Sequence, residues 1–412
     1  MKILWLSHLI PYPPKGGVLQ RSYNLLKELS KDNDIHLVAF NQVNLLKHIY
    51  PDMSVAIKES KKELSKYCSK IHYFDIPCDK TTYGKKLLAL KSIFTLAPYT
   101  VNWLKSKEAA LYIESLSKTE RYDLVHFDTL SLIPYKKYFP SNVSVLDHHN
   151  IESHMMHRRA ATENNILKKL YFHQEAIKIR HYERKKCPEF NLHITCSSLD
   201  SKRLQELIPR IDVIDIPNGV DINYFKPDES VAKIPDSLIF TGGLDWYPNR
   251  RAILFFIDEV WPILNKKVPN ISVNIIGKNP PEKLIEISAH DKRVKLYGFV
   301  DDIRGYMNTS QVYVCPIDDG GGTKLKILDA LAMAKSIVSN PIACEGIDVT
   351  NNDNVLFAQT PEEYVQQITH LFAKPSEIKR IGKNARNLIV SKYSYDIIGE
   401  DFRKIYHDLS NT

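Results

Sequence analysis

Two doubly wound α/β domains are the architecture that this sequence predicts, on three observations. The chain has 412 residues, 43% of them hydrophobic, enough for two ordinary buried cores. Short apolar runs recur with helix-like segments between them, the rhythm of parallel sheets covered on both faces. That rhythm stops near 209–227, at "PRIDVIDIPNGVDINYFKP" with its Pro, Asn and Gly, and then begins again.

The first domain, expected over 1–215, is built on the runs "KILWLS", "DIHLVAF", "DLVHF", "VSVLD" and "LHITCS". After the first run, residues 17–30 read as a crossover helix whose buried face carries Val18, Leu25, Leu26 and Leu29. Residues 163–186 read as one long basic helix. The second domain, expected over 216–394, uses "SLIFTG", "ISVNIIG", "VKLYGF", "QVYVCP", "SIVSN" and "NVLFA". Its helices fall near 252–266, 302–309, 324–334 and 362–373, and 395–412 is expected to pack back on the first domain as a terminal helix. Open α/β sheets bind ligands beyond the carboxyl ends of their strands, and two such domains face each other across a central cleft.

Composition narrows the function classes. The formal charge of +8 favours anionic partners in general, but the basic residues form dispersed pairs such as Lys85-Lys86 and Arg158-Arg159, without a nucleic-acid module. Six cysteines lack any CxxC pair, which fits a reduced, cytoplasmic protein. The opening run is broken by Ser7 and His8 and stopped by Pro11, Pro13 and Pro14, so it reads as a strand rather than a signal peptide.

Strand ends carry the candidate chemistry. In "GGGTKLKILDALAM" (320–333), Gly320, Gly321 and Gly322 let backbone amides approach a ligand, Thr323 is the expected N-cap, and Lys324 and Lys326 fall in the first turn. Cations there oppose the helix dipole, which points to a bound phosphate or diphosphate. The simpler alternative is that the lysines extend into water and Lys326 pairs with Asp329, which leaves three glycines unexplained. Asp329 lies about 9 Å farther along the axis at about 1.5 Å per residue, a suitable offset for ribose hydroxyls. Gly16 and Gly17 after the first strand suit close approach to phosphate or sugar, with an ordinary turn as the competing reading. His148, His149, Asn150 and Glu152 follow "VSVLD"; sugar or phosphate bonding competes there with a satisfied structural histidine. No further zinc ligands are evident at workable spacing, and Asp301-Asp302 and Asp318-Asp319 read better as helix starts or loops than as metal sites.

Taken in order, "DHHN", "IPNGVDINYF", "LIFTGGLDWYPN", "GFVDDIRGYM" and the glycine helix resemble glycosyltransferase family 4, retaining enzymes of the GT-B fold, and "CEGIDV" adds similarity to a bacterial surface-polysaccharide branch. The resemblance implies transfer of a sugar from a nucleotide-diphosphate donor to a hydroxyl of a glycan or lipid-linked acceptor, without metal or cofactor, after closure about the 209–220 linker. It implies that His149 contacts the transferred sugar, that the base packs near Gly277-Lys278 and at Phe299-Val300, and that Gly242-Gly243 lie by the diphosphate. The family's paired Glu positions hold Gly321 and Asp329 here. Its diphosphate-gripping Arg and Lys appear as Gly243 and either Pro248 or Asn249, so Lys324 and Lys326 are expected to supply that charge. Peripheral contact with an anionic membrane at its inner face, through the basic 163–186 helix, is a further expectation; an ordinary solvated helix face is the alternative. A sugar-nucleotide epimerase of the same fold and a weakly active nucleotide-sugar binding protein are the competing functions.

Overall fold

The computed structural model describes all residues except 15–16, 48–49, 51, 320–321 and 411–412. The chain divides into two compact units, 1–217 with 398–412, and 218–397.

The first unit holds a seven-stranded, all-parallel sheet. Its strands are β1 (Lys2–Ser7), β2 (Asp34–Asn41), β3 (Lys70–Asp75), β4 (Leu124–Phe127), β5 (Val143–His148), β6 (Leu192–Thr195) and β7 (Val213–Asp215), in the order β3-β2-β1-β4-β5-β6-β7. Strand β1 shows why such a strand is apolar throughout. Leu4 and Leu6 enter one core cluster while Ile3 and Trp5 enter another, because successive side chains point to opposite faces.

Two strands, β3 and β7, lie outside the sequence expectation, so "VSVLD" is the fifth strand and not the fourth. Both are sheet edges, and β7 has only three residues, none buried. An edge strand needs no continuous apolar run, and "KIHYFD" therefore carries a weaker signal.

The helix Gly17–Leu29 buries Leu25, Leu26 and Leu29 completely, but Val18 is 40% exposed, a correction to the predicted face. The expected 163–186 helix is found as one element, Ile166–Lys186, and a separate helix, Glu152–Thr162, precedes it and packs against it. Residues 398–410 of the helix Tyr395–Ser410 belong to the first unit. Phe402 and Tyr406 are fully buried there, Tyr406 Oη lies 2.6 Å from His126 Nδ1, and the His126 ring stacks on Trp5.

The second unit repeats the plan with β8 (Ser237–Thr241), β9 (Ser272–Ile276), β10 (Val294–Tyr297), β11 (Val312–Cys315), β12 (Ser336–Ser339) and β13 (Leu356–Phe357), in the order β10-β9-β8-β11-β12-β13. All pairings are again parallel. Each sheet reverses its winding once, between β1 and β4 and between β8 and β11. Connections leave toward opposite faces at those points, which opens a crevice at the strand carboxyl ends.

Candidate functional site

In the first unit the crevice is lined from β1, β4 and β5. Asp128 follows the last residue of β4 and is fully buried, so its ionised form needs compensating partners. It has them. Ser7 Oγ and Ser22 Oγ each donate to Oδ2 at 2.9 Å, His8 Nδ1 stands 3.3 Å from Oδ2, and His149 Nε2 lies 2.8 Å from Oδ1. Burial alone would raise the Asp128 carboxyl, but the His149 charge and bonds from His126, His149 and His8 hold it well below the usual carboxylate range. Burial lowers His149 in turn, while the charge and bond of Asp128 raise it beyond the ordinary imidazole value.

Beneath this pair, Asp147 and Arg21 form a buried ion pair with two guanidinium nitrogens engaged, and Arg21 also donates to the Ile216 carbonyl at 2.8 Å. His148 faces the other way. Its Nε2 lies 3.0 Å from His193 Nδ1, whose second ring nitrogen lies 3.1 Å from the Cys187 carbonyl. The sequence suggested no companion ligands for these histidines, yet three potential metal-ligating groups assemble among the described residues: His148 with Cys187 and His193, His8 with Asp128 and His149, and His126 with Asp128 and Asp147. In the first set the two histidines already bond each other. Asn150 is half-buried beside His149, and burial pushes the Glu152 carboxyl up to about 7 against the opposing His149 charge.

The crevice of the second unit lies between the ends of β8 and β11. Gly242 has φ +152°, a conformation that favours glycine, and a Cβ built there would collide with Lys326 Nζ. Gly277 at the end of β9 meets the Gly242 carbonyl equally closely. Lys326 donates to Asn249 Oδ1 at 2.6 Å and its ammonium lies over the Phe240 ring, 5.4 Å from the centroid. Asn249 Nδ2 in turn donates to the Gly243 carbonyl at 2.8 Å, and Lys278 pairs with Asp245 beside Gly243.

Lys326 is neither extended into water nor paired to Asp329, so both parts of the simpler reading fail. The structure therefore brings Gly242, Gly243, Gly277, Lys278 and Lys326 to one place. Phe299 is exposed after β10, and Val300 is half-buried against the second unit's core.

The helix after the glycine loop runs Leu325–Ala332, with Lys324 at the N-cap and no side-chain cap. Thr323 is thus not the cap; its Oγ1 is buried with no hydrogen-bond partner among the described residues. Gly322 takes φ +70° and its carbonyl accepts from Lys324 Nζ at 3.0 Å. Gly16, Gly320 and Gly321 lie outside the described residues. Asp329 is almost wholly buried, and its Oδ1 likewise lacks a partner. Burial drives the lysine and the aspartate toward their neutral forms: the Lys326 ammonium falls to about 8, and the Asp329 carboxyl rises to about 8 although Lys326 opposes it. The acidic pairs serve structure, since Asp302 holds Arg304 and Asp318 holds Arg251, each at 2.6 Å, while Tyr247 Oη donates to Asp319.

Comparison with known proteins agrees with this architecture. Residues 235–374 match the family described as glycosyl transferases group 1. A 44.6 kDa protein of the cps region of Klebsiella pneumoniae is 24% identical over 403 residues, spanning 95% of this chain and 96% of its own length. Among solved structures, sucrose-phosphate synthase from Thermosynechococcus elongatus superposes with a TM-score of 0.69 at 13% identity, covering 99% of each chain. Anabaena HepE in complex with UDP gives 0.67 at 16% identity over 100% of each chain; HepE is also known with UDP-glucose. Residues 235–374 thus match a glycosyl transferases group 1 domain, and the whole chain shares the GT-B fold of these solved structures.

Proposed function

We propose that this protein transfers a sugar from a nucleotide-diphosphate donor to a hydroxyl of a glycan or lipid-linked acceptor, with retention at the anomeric carbon, in surface polysaccharide synthesis at the cytoplasmic face of a membrane. One observation carries the donor half: an ammonium group stands over a bare glycine at the switch point of the second sheet, beside two buried oxygens that lack partners. Backbone amides and a cation at that point suit a diphosphate, and Thr323 and Asp329 offer their oxygens to phosphate or ribose hydroxyls. The UDP and UDP-glucose complexes of HepE and the cps-region relative support the same reading.

In the reaction the bond from the anomeric carbon to the donor phosphate breaks, and a bond to the acceptor oxygen forms on the same face. The acceptor proton passes to the departing phosphate. Lys326 and the loop amides oppose the charge that develops on the leaving group, with Lys324 as a second cation. His149, held by Asp128, is assigned to the transferred sugar. The resident residues supply this electrostatics without a metal ion, so EDTA should leave turnover unchanged; a loss that magnesium restores would defeat that part.

Thermal stabilisation by a panel of UDP, GDP, ADP, CMP and dTDP sugars, followed by product analysis with candidate acceptors, tests the whole. A glycosylated acceptor carrying a retained anomeric configuration is expected. An isomerised sugar nucleotide released without any acceptor would replace this reading with an epimerase.

A further inference from the structure

Two helices of the first unit carry bare apolar surface. On the helix Gly84–Ile93, Leu87 and Leu90 point outward, and the same stripe continues into Phe94, which is 84% exposed, and Leu96, which is 97% exposed. The helix Ile166–Lys186 contributes Ile166, Leu167 and Leu170, all more than 60% exposed. The two groups adjoin. Gln174 Nε2 donates to the Ile93 carbonyl at 3.0 Å and Lys178 Nζ bonds the Ser92 carbonyl, and Leu167 and Leu170 lie seven and four residues before Gln174 on the same side of their helix.

The charge within the two segments is positive, with Asp79, paired to Lys85, and Glu163 at their border. Residues 83–96 and 164–173 contain five lysines (85, 86, 91, 168 and 169) and no Asp or Glu. Lys86 and Lys91 flank the apolar stripe of the first helix on opposite sides, about 100° and 40° around the axis from Leu87 at ~100° per residue. Only the first half of the long helix takes part, because Glu175, Ala176, Ile179 and Glu183 are buried against the unit.

We infer that this lysine-rimmed apolar surface, formed by residues 83–96 and 164–173, seats the protein on a bilayer containing anionic phospholipid. Leucine and phenylalanine side chains enter the acyl boundary and the lysines meet lipid phosphates. A second copy of the chain is a poor occupant, because self-association would set lysines against lysines. The inference rests on the proposed membrane contact and goes beyond it by naming the surface, which is apolar at its centre rather than a basic helix face.

Sedimentation with vesicles of phosphatidylcholine alone, and with one quarter phosphatidylglycerol, tests it at low salt. The expected result is binding that needs the anionic lipid, weakened about tenfold or more by Leu90→Asp with Phe94→Asp. Lys86→Glu with Lys91→Glu should weaken it by a similar factor, at about fivefold for each lysine removed. All four positions lie outside the core and leave the fold intact, which circular dichroism melts and donor-induced stabilisation of the same variants verify. A wild-type protein that ignores every vesicle defeats both the membrane contact and this surface. Binding to anionic vesicles that survives both double substitutions defeats the surface alone. Concentration-dependent dimerisation abolished by the leucine and phenylalanine changes, without vesicle binding, assigns the face to a second copy and overturns the proposal.

Discussion

At the scale of single residues, Asp128 decides the electrostatics of the first unit. It is buried, it accepts from two serines, and it holds His149 above the ordinary imidazole range. Asp128→Asn keeps the shape and removes the charge, so the His149 pKa should fall and turnover should drop while the proposed donor site of the second unit keeps its affinity. Histidine NMR titration reads the first effect; an unshifted His149 would show that Asp128 does not set it. The stability sign follows from both partners. The raised histidine stabilises fully below its unfolded value of about 6.5 and loses that contribution as pH climbs through the folded value, whereas the depressed aspartate contributes above about 3.9 and fails only at lower pH. The melting difference between wild type and Asp128→Asn should therefore be widest between those limits and shrink in alkali. Arg21 is the second decisive residue. Arg21→Met strands Asp147 as an uncompensated buried charge, and about 3–5 kcal/mol of stability should be lost in denaturant titrations.

At the scale of elements, the turn after β8 and the start of the helix Leu325–Ala332 work as one device. Gly242 exists because Lys326 occupies the space of its side chain, and Lys326 is aimed by Asn249. Lys326→Ala should weaken nucleotide-diphosphate binding by about tenfold or more, the size of one charge-assisted hydrogen bond of roughly 1.5–3 kcal/mol. Because burial has brought this ammonium down to about 8, wild-type affinity should decline between neutral pH and about pH 9, and the slope should flatten in the variant. Isothermal titration with UDP at several pH values measures both, and an identical slope in the variant would remove Lys326 from the site.

The same elements explain what could be read in advance. A continuous apolar run such as "SLIFT" or "VYVC" announces a strand buried on both faces, and Gly242-Gly243 after the first announce close packing, so the frame of the candidate donor site was legible. Asp128 escaped notice although "DLVHFDTL" places it at a strand end like His149. Nothing local distinguishes it from a loop aspartate, because two of its three histidine neighbours, His8 after β1 and His149 after β5, are distant in sequence. The Lys326–Asn249 bond spans 77 residues and was equally invisible. Thr323 misled because a threonine before an apolar helix normally caps it, whereas here the chain starts the helix one residue later.

At the scale of the whole molecule, the two units differ in how the chain builds them. The second is continuous, whereas the first is closed by residues from the far end of the sequence. Ile398, Phe402 and Tyr406 complete a core with Trp5, Leu25 and Leu26, and Arg403 pairs with Glu28 at 2.7 Å. Tyr406 also bonds His126 inside the core, so its loss leaves a buried ring nitrogen without a partner. Truncating one buried aromatic to Ala costs about 3–5 kcal/mol, and domains of this kind have only about 5–15 kcal/mol in total. Deleting 398–412 removes two such aromatics and an isoleucine together, enough to unfold the first unit at ordinary temperature. The second unit loses none of its residues. Calorimetry of a chain ending at 397 should therefore show one surviving transition, which UDP still shifts upward, while the transition of the first unit disappears. Phe402→Ala should give a milder version, with the first unit's transition lowered but present. Two intact transitions in the truncated chain would mean that residues 1–217 close their own core.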